Sequence, residues 1–500
     1  MRYRLILALL AAVSAAQADR LVSWQRRLNL TLLEFERGAG EIEIVNPSTF
    51  RFVRCRTKPC AGRTGAADPV VFQSSETNLA FEFHTRYIDI RVRKSDGGLM
   101  VKSRHGVEML DELVSAGPSP AGIFFERRAP EGERLYGLGP RTDRELDLRG
   151  KSIATKQPLL ISTLGYGLWF TASSDYTFDL ASQARDRVSI RAPFHDRLEF
   201  YFHYGPTPKE VLEENYSVAG WSFSPVEEYT GVLPESAIPR YAVKPGSAMS
   251  LPELLSWLSH ASMSGVQAPA LDQSKLPPAL APPLPMLYGG ETSKERRSLH
   301  SCLFTYLTEA KDRGFPLFRP MAMQYSKDTI AAARLDQFML GDELLVAAGH
   351  DVYLPMGIWT DMRTGAIHKG KQVVPVPEVA GLRVFAKNGT IVPLLQPDGT
   401  IQLHYLPRLG AEFIISEPGD TQPSQVHASP AAGVLRREIE SRVPRKYEWI
   451  VYHVSNATAV EPAATKATYD AALKRLHVPV DAAAHGDSIV NITLDVPLEP

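Results

Sequence analysis

The alternation of hydrophobic and polar residues changes character along the chain and divides it into regions with different predicted structures. From residue 19 to 232 the pattern is that of β-strands. LAFEFHTRYIDIRVRKSDGG, for example, alternates over two strand lengths and turns at Asp96-Gly97-Gly98. One short helix is predicted within PTPKEVLEENY. We therefore predict a large antiparallel β-sandwich over 19–232.

Helical and strand patterns alternate in the next region, 233–340. Ser250 and Glu253 have the spacing of a capping box and precede an apolar helical stripe. VQAPAL then predicts a short buried strand that finishes at Asp272. This order of elements is typical of an α/β structure.

A proline-rich stretch interrupts this α/β region. Five prolines fall between Pro277 and Pro285, where they exclude a helix or a central strand. A second capped helix is predicted to start at Thr292 and Glu295 and to end at Gly314. The strand predicted to follow it covers residues 315–318.

Strand patterns return after Gly341. We predict a proximal C-terminal β-sandwich over 341–425 and a distal β-domain over 426–500, separated by a stretch that contains Pro and Ser. The predicted fold class is therefore mainly β with a small α/β part.

The first eighteen residues, MRYRLILALLAAVSAAQA, have the pattern of a secretory signal. Two arginines precede an apolar run, and small residues flank a cleavage point after Ala18. A simple membrane anchor is the alternative, but the run is short for a membrane span. Cleavage would leave a periplasmic or extracellular protein that has no membrane anchor.

The three cysteines agree with an oxidising compartment. Cys55 and Cys60 bracket a short polar loop in which a disulfide is expected. Cys302 lies among apolar residues at helical spacing, which favours a buried, inert thiol.

Composition and motifs exclude several classes of function. The 500 residues carry a net charge of −1 and no long basic run, so nucleic acid is not an expected partner. His-Glu-x-x-His, Gly-x-Ser-x-Gly and Cys-rich metal spacings are all absent from the sequence. No metal and no cofactor is therefore predicted.

Several ordered motifs resemble glycoside hydrolase family 31, the retaining α-glucosidases and α-xylosidases. ERLYGLG at Glu133–Gly139 is similar to a signature of the family's N-terminal galactose-mutarotase-like β-sandwich, and PLLISTLGYGLWF to the paired strands that follow it. RRSLHSCLFTYLTEAKDRGFPLFRPM resembles a late helix and strand of the family's (β/α)₈ barrel. DVYLPMGIWTDMRTG resembles the start of its proximal C-terminal domain.

The resemblance also implies that most of the catalytic barrel is missing. A (β/α)₈ barrel takes about 250 residues, whereas 233–340 supplies 108. The strands that carry the family's nucleophile and acid/base have no counterpart, so we assign no catalytic residue. Asp361 in GIWTDMRTG lacks the Asn-Glu of the nucleophile motif W-x-D-M-N-E, and is predicted to be a hairpin-turn aspartate.

Two aspartates remain as candidate substrate-binding residues. By resemblance Asp272 matches the family's aspartate that contacts substrate hydroxyls, although Asp-Gln-Ser replaces Asp-Ile-Gly-Gly. Asp147 lies in the loop that reaches the active site in the family. A loop aspartate without a ligand is the alternative for both.

Three hypotheses follow from this sequence. The first is a secreted α-glycosidase relative without hydrolytic activity, whose β-domains bind carbohydrate such as an α-glucoside or α-xyloside, or a protein partner. The second is an active retaining glycosidase with a rebuilt site, or one completed by a second chain that pairs at exposed strand edges as a homo-oligomer. The third is a decaying deletion product that barely folds.

Overall fold

The structure is a computed structural model of the 500-residue chain. It describes residues 19–494 apart from 58–59, 61–67, 120–121, 172–173, 194–195, 221–226, 238–242, 247–248, 268, 277–280, 285, 350, 376–381, 409, 432–433, 455, 464 and 483–485. The predicted signal sequence, 1–18, lies outside the described residues. The described residues fall into two compact units. One is formed by 19–141 with 145–219, and the other by 142–144 with 220–494.

The first unit consists of two antiparallel sheets that share one hydrophobic core. The eight-stranded sheet has the spatial order Leu21–Arg27, Leu30–Phe35, Gly38–Asn46, Thr49–Cys55, Arg197–Tyr204, Tyr166–Phe170, Leu159–Ser162 and Leu135–Gly137. The nine-stranded sheet has the order Ser152–Thr155, Tyr176–Leu180, Arg187–Ala192, Gly122–Arg128, Glu108–Ser119, Leu99–Ser103, Ile88–Arg93, Ala80–His84 and Gln73–Glu76.

Local features of this unit follow the sequence pattern. The turn at Asp96-Gly97-Gly98 joins Ile88–Arg93 to Leu99–Ser103, with Gly97 at a φ of 70°. The helix Pro208–Ala219 is the one predicted within PTPKEVLEENY. The mainly β class is thus confirmed.

The second unit begins with a three-stranded parallel sheet, which we call the parallel sheet. Its strands are Val232–Leu233, Met286–Tyr288 and Ala270–Asp272, in that spatial order. The first of these strands has two residues, and 238–242, which follow it in the chain, lie outside the described residues. The helices of the unit are Leu251–Met263, Lys294–Ser298, His300–Arg313, Met321–Gln324 and Thr329–Ala332, and its 3₁₀ turns are Glu227–Thr230, Glu235–Ala237 and Gln273–Lys275.

The capping box of the first predicted helix and the end of the second are as predicted, but the start of the second at Thr292 is wrong. Ser293, also a good N-cap residue, caps Lys294–Ser298, and the helix that Gly314 ends begins at His300. Ser250 and Glu253 form a complete capping box at the start of Leu251–Met263. Gly314 adopts the left-handed conformation, with a φ of 75°, and ends His300–Arg313. These contacts are local in sequence, which explains why the sequence predicts them.

The strand predicted at 315–318 is wrong in its bounds. The strand is Phe318–Pro320, and it pairs antiparallel with Gln337–Leu340. Residues 315–318 are all apolar, so their sequence has no alternation that would indicate where strand pairing starts. The sheet that it joins has the order Phe318–Pro320, Gln337–Leu340, Leu344–Ala347, Arg383–Lys387, Ile358–Asp361 and Ile367–Lys369.

The remaining strands form one small sheet and two larger ones. Asp351–Leu354 pairs with Gln372–Pro375. One five-stranded sheet has the order Thr390–Leu395, Ile401–Leu406, Arg445–Tyr452, Arg475–Ala482 and Thr468–Asp470, and the other Ala411–Ile415, Ser424–Ala431, Val434–Ser441, Gly486–Leu494 and Ala457–Glu461. Buried side chains of both share one core, and we call this pair the distal sandwich.

The predicted boundary at 425/426 falls inside the distal sandwich. Ile401–Leu406 pairs in parallel with Arg445–Tyr452, so strands from both sides of that boundary belong to one sheet. Parallel pairing joins segments far apart in sequence. No helix among the described residues is long and apolar enough to span a membrane.

Candidate functional site

The candidate site lies at the carboxyl ends of the parallel strands. Because the strands are parallel, their last residues meet at one edge: Asp272 and Leu233 each pair with Tyr288. In α/β structures ligands bind outside this edge. We call the side chains of Glu235, Lys244, Asp272, Lys275 and Tyr288 the edge cluster.

Asp272 is held by residues of its own loop. It caps the 3₁₀ turn Gln273–Lys275, and its Oδ1 accepts hydrogen bonds from the Ser274 backbone N–H at 3.1 Å and from Ser274 Oγ at 2.6 Å. Lys275 Nζ lies 2.7 Å from Oδ2. The bond from Lys275, followed by that from Ser274, lowers the pKa of Asp272. A carboxyl group in this state is an ionised acceptor of hydrogen bonds and not a general acid.

The other acidic side chain of the edge cluster is also beside a lysine. Lys244 Nζ lies 3.9 Å from Glu235 Oε1 and 4.9 Å from the centre of the Tyr288 ring. Burial, and then the charge of Asp272, raises the pKa of Tyr288, so its hydroxyl stays protonated. The cluster thus presents two carboxylates, two ammonium groups and one phenol, a set that binds polar or polyhydroxylated ligands.

A glycine turn after the strand Met286–Tyr288 allows Asp272 its position. Gly289 has a φ of 76°, and a Cβ there would lie 3.0 Å from Asp272 Oδ1. A Cβ on Gly290 would lie 2.6 Å from Oε1 of Gln273, whose Nε2 donates to the Glu291 carbonyl at 3.1 Å. Side chains at either glycine would displace the loop that carries Asp272.

Asp147 has a structural role that is visible in the first unit. Its Oδ1 accepts hydrogen bonds from the backbone N–H groups of Leu135 at 2.9 Å and Arg149 at 3.0 Å. Asp147 and Asp272 belong to different compact units.

Asp361 is the turn residue that the sequence predicts. It ends the strand Ile358–Asp361, which pairs with Ile367–Lys369. Its Oδ1 accepts from the N–H groups of Arg363 at 2.8 Å and Thr364 at 3.2 Å, while its carbonyl accepts from Gly365. The hairpin prediction is confirmed.

None of the three cysteines belongs to the edge cluster. Cys55 and Cys60 form a disulfide in the first unit, with their Cα atoms 5.6 Å apart. Cys302 is buried, and burial raises the pKa of its thiol. Within the described ranges no group of three or more His, Cys, Asp or Glu side chains is arranged to hold a metal ion.

The motif ERLYGLG forms part of a buried network. Glu133 is fully buried, and both of its oxygens accept from the guanidinium of Arg127 at 2.9 Å. Ser162 Oγ donates to Glu133 at 2.5 Å, and Tyr166 OH donates to Glu133 at 3.5 Å. Ser162 and Tyr166 both come from PLLISTLGYGLWF. The two motifs thus meet on adjacent strands of the eight-stranded sheet.

Comparison with known proteins agrees with these motifs. Residues 314–392 match the glycosyl hydrolase family 31 C-terminal domain. Neutral alpha-glucosidase AB of Mus musculus is 38% identical over 109 residues, which are 20% of this chain and 12% of that protein. Residues 314–392 thus belong to the C-terminal domain of glycoside hydrolase family 31, and the aligned part of the chain is similar to enzymes of that family. The aligned part spans about an eighth of that curated relative.

Solved structures share the fold at low sequence identity. An uncharacterized protein from Listeria monocytogenes has a TM-score of 0.82 at 13% identity, over 95% of this chain and 77% of that one. The family 31 dextranase of Flavobacterium johnsoniae, complexed with glucose, has a TM-score of 0.74 at 12% identity, over 95% of this chain and 100% of that one.

Arg296, which the sequence did not single out, holds the segments that lead into the parallel strands. Arg296 is 1% exposed and donates to five backbone carbonyls. These belong to Tyr229, Gly231, Ala281, Pro282 and Leu284, at 2.9, 2.9, 3.4, 3.0 and 2.9 Å. Gly231 and Leu284 come just before two of the three parallel strands. No local signal marks Arg296, because a helical arginine usually faces solvent.

Proposed function

We propose that the protein is a secreted family 31 member that binds carbohydrate and does not hydrolyse glycosides. The observation that carries this proposal is the state of Asp272, whose two oxygens are occupied by Ser274 and Lys275. A retaining glycosidase needs a free nucleophile and a protonated acid about 5–5.5 Å apart. In the edge cluster both acidic residues lie beside lysines.

The size of the α/β region supports the same proposal. The described residues contain a parallel sheet of three strands, each two or three residues long, where a complete barrel has eight. The segments expected to carry the nucleophile and the acid/base are absent from the sequence between Leu233 and Ala270. We infer that the parallel sheet is a remnant of that barrel.

Carbohydrate is the proposed ligand because the edge cluster combines hydrogen-bonding carboxylates with a tyrosine ring. Related folds have been solved with glucose and with isomaltotriose. An α-glucoside or α-xyloside is therefore the ligand class to test. Titration calorimetry with glucose and isomaltotriose should detect binding that Asp272→Ala abolishes.

The hydrolytic part of the proposal has its own test. Aryl α-glucosides and α-xylosides should not be turned over by the purified protein above the rate in buffer. Asp361→Ala serves as the control, because Asp361 holds a hairpin and should not change either result. Turnover that is lost in Asp272→Ala would refute the proposal, and so would the absence of any carbohydrate binding.

The open edges of the parallel sheet favour a second candidate, an active site completed by another chain. Among the described residues, Val232–Leu233 and Ala270–Asp272 each have a neighbouring strand on one side only, although the Ala270 N–H donates to the Val243 carbonyl at 3.0 Å. Unpaired edges can accept strands from a second copy. Light scattering after size-exclusion chromatography decides this point: a strict monomer excludes the intermolecular site.

Secretion is proposed from residues 1–18 and agrees with the disulfide between Cys55 and Cys60. Expression of the full chain in a bacterium should give a periplasmic or secreted protein whose first residue is Asp19. Sequencing the N-terminus of the recovered protein checks this. A product that keeps the leader in the membrane would favour the anchor alternative.

A further inference from the structure

A buried arginine in the distal sandwich lacks the acceptors that its charge requires. Arg437 lies on Val434–Ser441 and is 0% exposed. Its Nη1 donates to the Arg436 carbonyl at 3.0 Å. Its Nε and Nη2 have no hydrogen-bond partner among the residues that the structure describes.

The four other large, fully buried arginines of the described chain are satisfied differently. Arg51, Arg127 and Arg319 each pair with carboxylates. Arg296 instead donates to five carbonyls. Arg437 combines one carbonyl with no described ion pair. A buried charge without a counter-charge is strongly disfavoured, so something else must compensate it.

The described aromatic groups beside Arg437 bring no carboxylate to balance its charge. Its guanidinium centre lies 4.3 Å from the ring centre of Tyr405 and 5.6 Å from that of Trp449. The indole Nε1 of Trp449 is buried and also has no described hydrogen-bond partner. Guanidinium and indole N–H groups can only donate. The two rings stabilise the cation through their faces but leave these N–H groups unsatisfied.

We propose that a small monovalent inorganic anion, chloride in the first instance, binds between Arg437 and Trp449 inside the distal sandwich. An anion accepts hydrogen bonds from N–H groups on both residues and neutralises the guanidinium. Burial lowers the pKa of Arg437 to about 10, which leaves it charged at neutral pH. A water molecule would accept some of the same bonds without balancing the charge.

The site is enclosed, so the anion binds as the sandwich folds. Arg437, Trp449 and Tyr405 are all fully buried. A ligand that binds the folded state alone stabilises it in proportion to the logarithm of its concentration. Well above its dissociation constant, tenfold more chloride should raise the folding equilibrium constant about tenfold. This dependence is the measurable signature of the site.

The test is urea unfolding of the intact protein in chloride, bromide or gluconate at equal ionic strength. The unfolding midpoint should rise with chloride and bromide concentration and stay constant in gluconate. Arg437→Gln should abolish the difference between the salts. Arg436→Gln is the matched control, because Arg436 is exposed on the same strand and pairs with Glu438; it should keep the full dependence.

A second variant, Trp449→Phe, tests the proposal if Arg437→Gln does not fold. Trp449→Phe keeps an aromatic ring and removes only the indole donor, so it should shift the dependence to higher chloride concentration. Equal midpoints of the native protein in chloride and gluconate would overturn the proposal in favour of buried water. A chloride dependence that survives in Arg437→Gln would overturn it as well.

Discussion

The core of the first unit and the parallel sheet of the second use buried arginines in opposite ways. In the first unit Arg127 meets the carboxylate of Glu133, and both residues are fully buried. In the second unit Arg296 donates to five backbone carbonyls. The charge of Arg127 is neutralised by Glu133, which belongs to a sequence motif, whereas Arg296 forms hydrogen bonds to the backbone.

The difference follows from the sequence around each arginine. Glu133, Ser162 and Tyr166 come from motifs that resemble the family, and together they surround one ion pair. The proline-rich stretch near Ala281–Leu284 has few N–H groups of its own, although its buried carbonyls still need donors. Arg296 supplies five N–H groups. The first unit thus balances its buried arginine with a carboxylate, whereas in the second unit Arg296 supplies donors to backbone carbonyls.

Loss of Glu133 should have the largest effect. Glu133→Ala leaves the Arg127 guanidinium buried and unpaired, which should cost about 3–5 kcal/mol of unfolding free energy. Urea unfolding measures this cost. The double variant Arg127→Met/Glu133→Ala should recover much of it, because no buried charge then remains. A single variant as stable as the native protein would show that the pair contributes little.

Replacement of Arg296 should have the next largest effect. Arg296→Lys keeps the charge but offers three N–H groups on one atom, so it cannot replace the donors to the carbonyls of both segments, 229–231 and 281–284. Buried carbonyls left without donors should cost about 3 kcal/mol. The control is Arg297→Lys, at an exposed position of the same helix. Equal urea midpoints for both variants would contradict the positioning role of Arg296.

The same two arginines show how far the sequence leads. The turn at Asp361, the capping box of Ser250 with Glu253 and the end of a helix at Gly314 are contacts between near neighbours in sequence, and all were predictable. Arg296 contacts residues 12 to 67 positions away. Its helix, Lys294–Ser298, has the composition of a solvent-exposed segment.

The candidate site was predictable only in part. Sequence pattern and resemblance single out Asp272 at the end of a buried strand, where the structure has it. They do not indicate that Lys275 pairs with it, that Lys244 lies over the ring of Tyr288, or that Glu235 is near. These contacts depend on the parallel register of three strands that are too short to produce a clear periodic pattern.

Glu112 offers a contrast to Glu133, because its buried carboxyl group accepts from backbone N–H groups and forms no ion pair among the described residues, although Arg54 and Arg93 lie near enough to act on its charge. Glu112 is 1% exposed, and its Oε2 accepts from the N–H groups of Leu99 at 3.0 Å and Ala116 at 3.5 Å. Burial raises the pKa of Glu112 to about 7. The folded state therefore holds a proton that the unfolded state releases near its ordinary pKa, so stability falls as the pH rises from about 4.5 to 7.

Glu112→Gln should remove this dependence. The amide stays neutral, so between pH 4 and 8 the variant should lose about 2–3 kcal/mol less unfolding free energy than the native protein. Urea unfolding across this pH range gives both curves. Glu108→Gln is the control, because Glu108 is exposed on the same strand and pairs with Lys102. Parallel curves for the native protein and Glu112→Gln would contradict the assignment.

The smallest effect on stability is expected at the edge cluster. Lys275 is exposed, and an exposed ion pair with a neighbour in its own turn contributes little to folding. Asp272→Asn keeps an oxygen for Ser274 and removes only the charge. Calorimetry should therefore give melting temperatures for Asp272→Asn and Lys275→Met that equal that of the native protein. If Asp272→Asn melted at a temperature as low as that of Glu133→Ala, Asp272 would be a structural residue. The core of the first unit, which stabilises the fold, and the edge cluster, which is proposed to bind a ligand, would then no longer differ in their effect on stability.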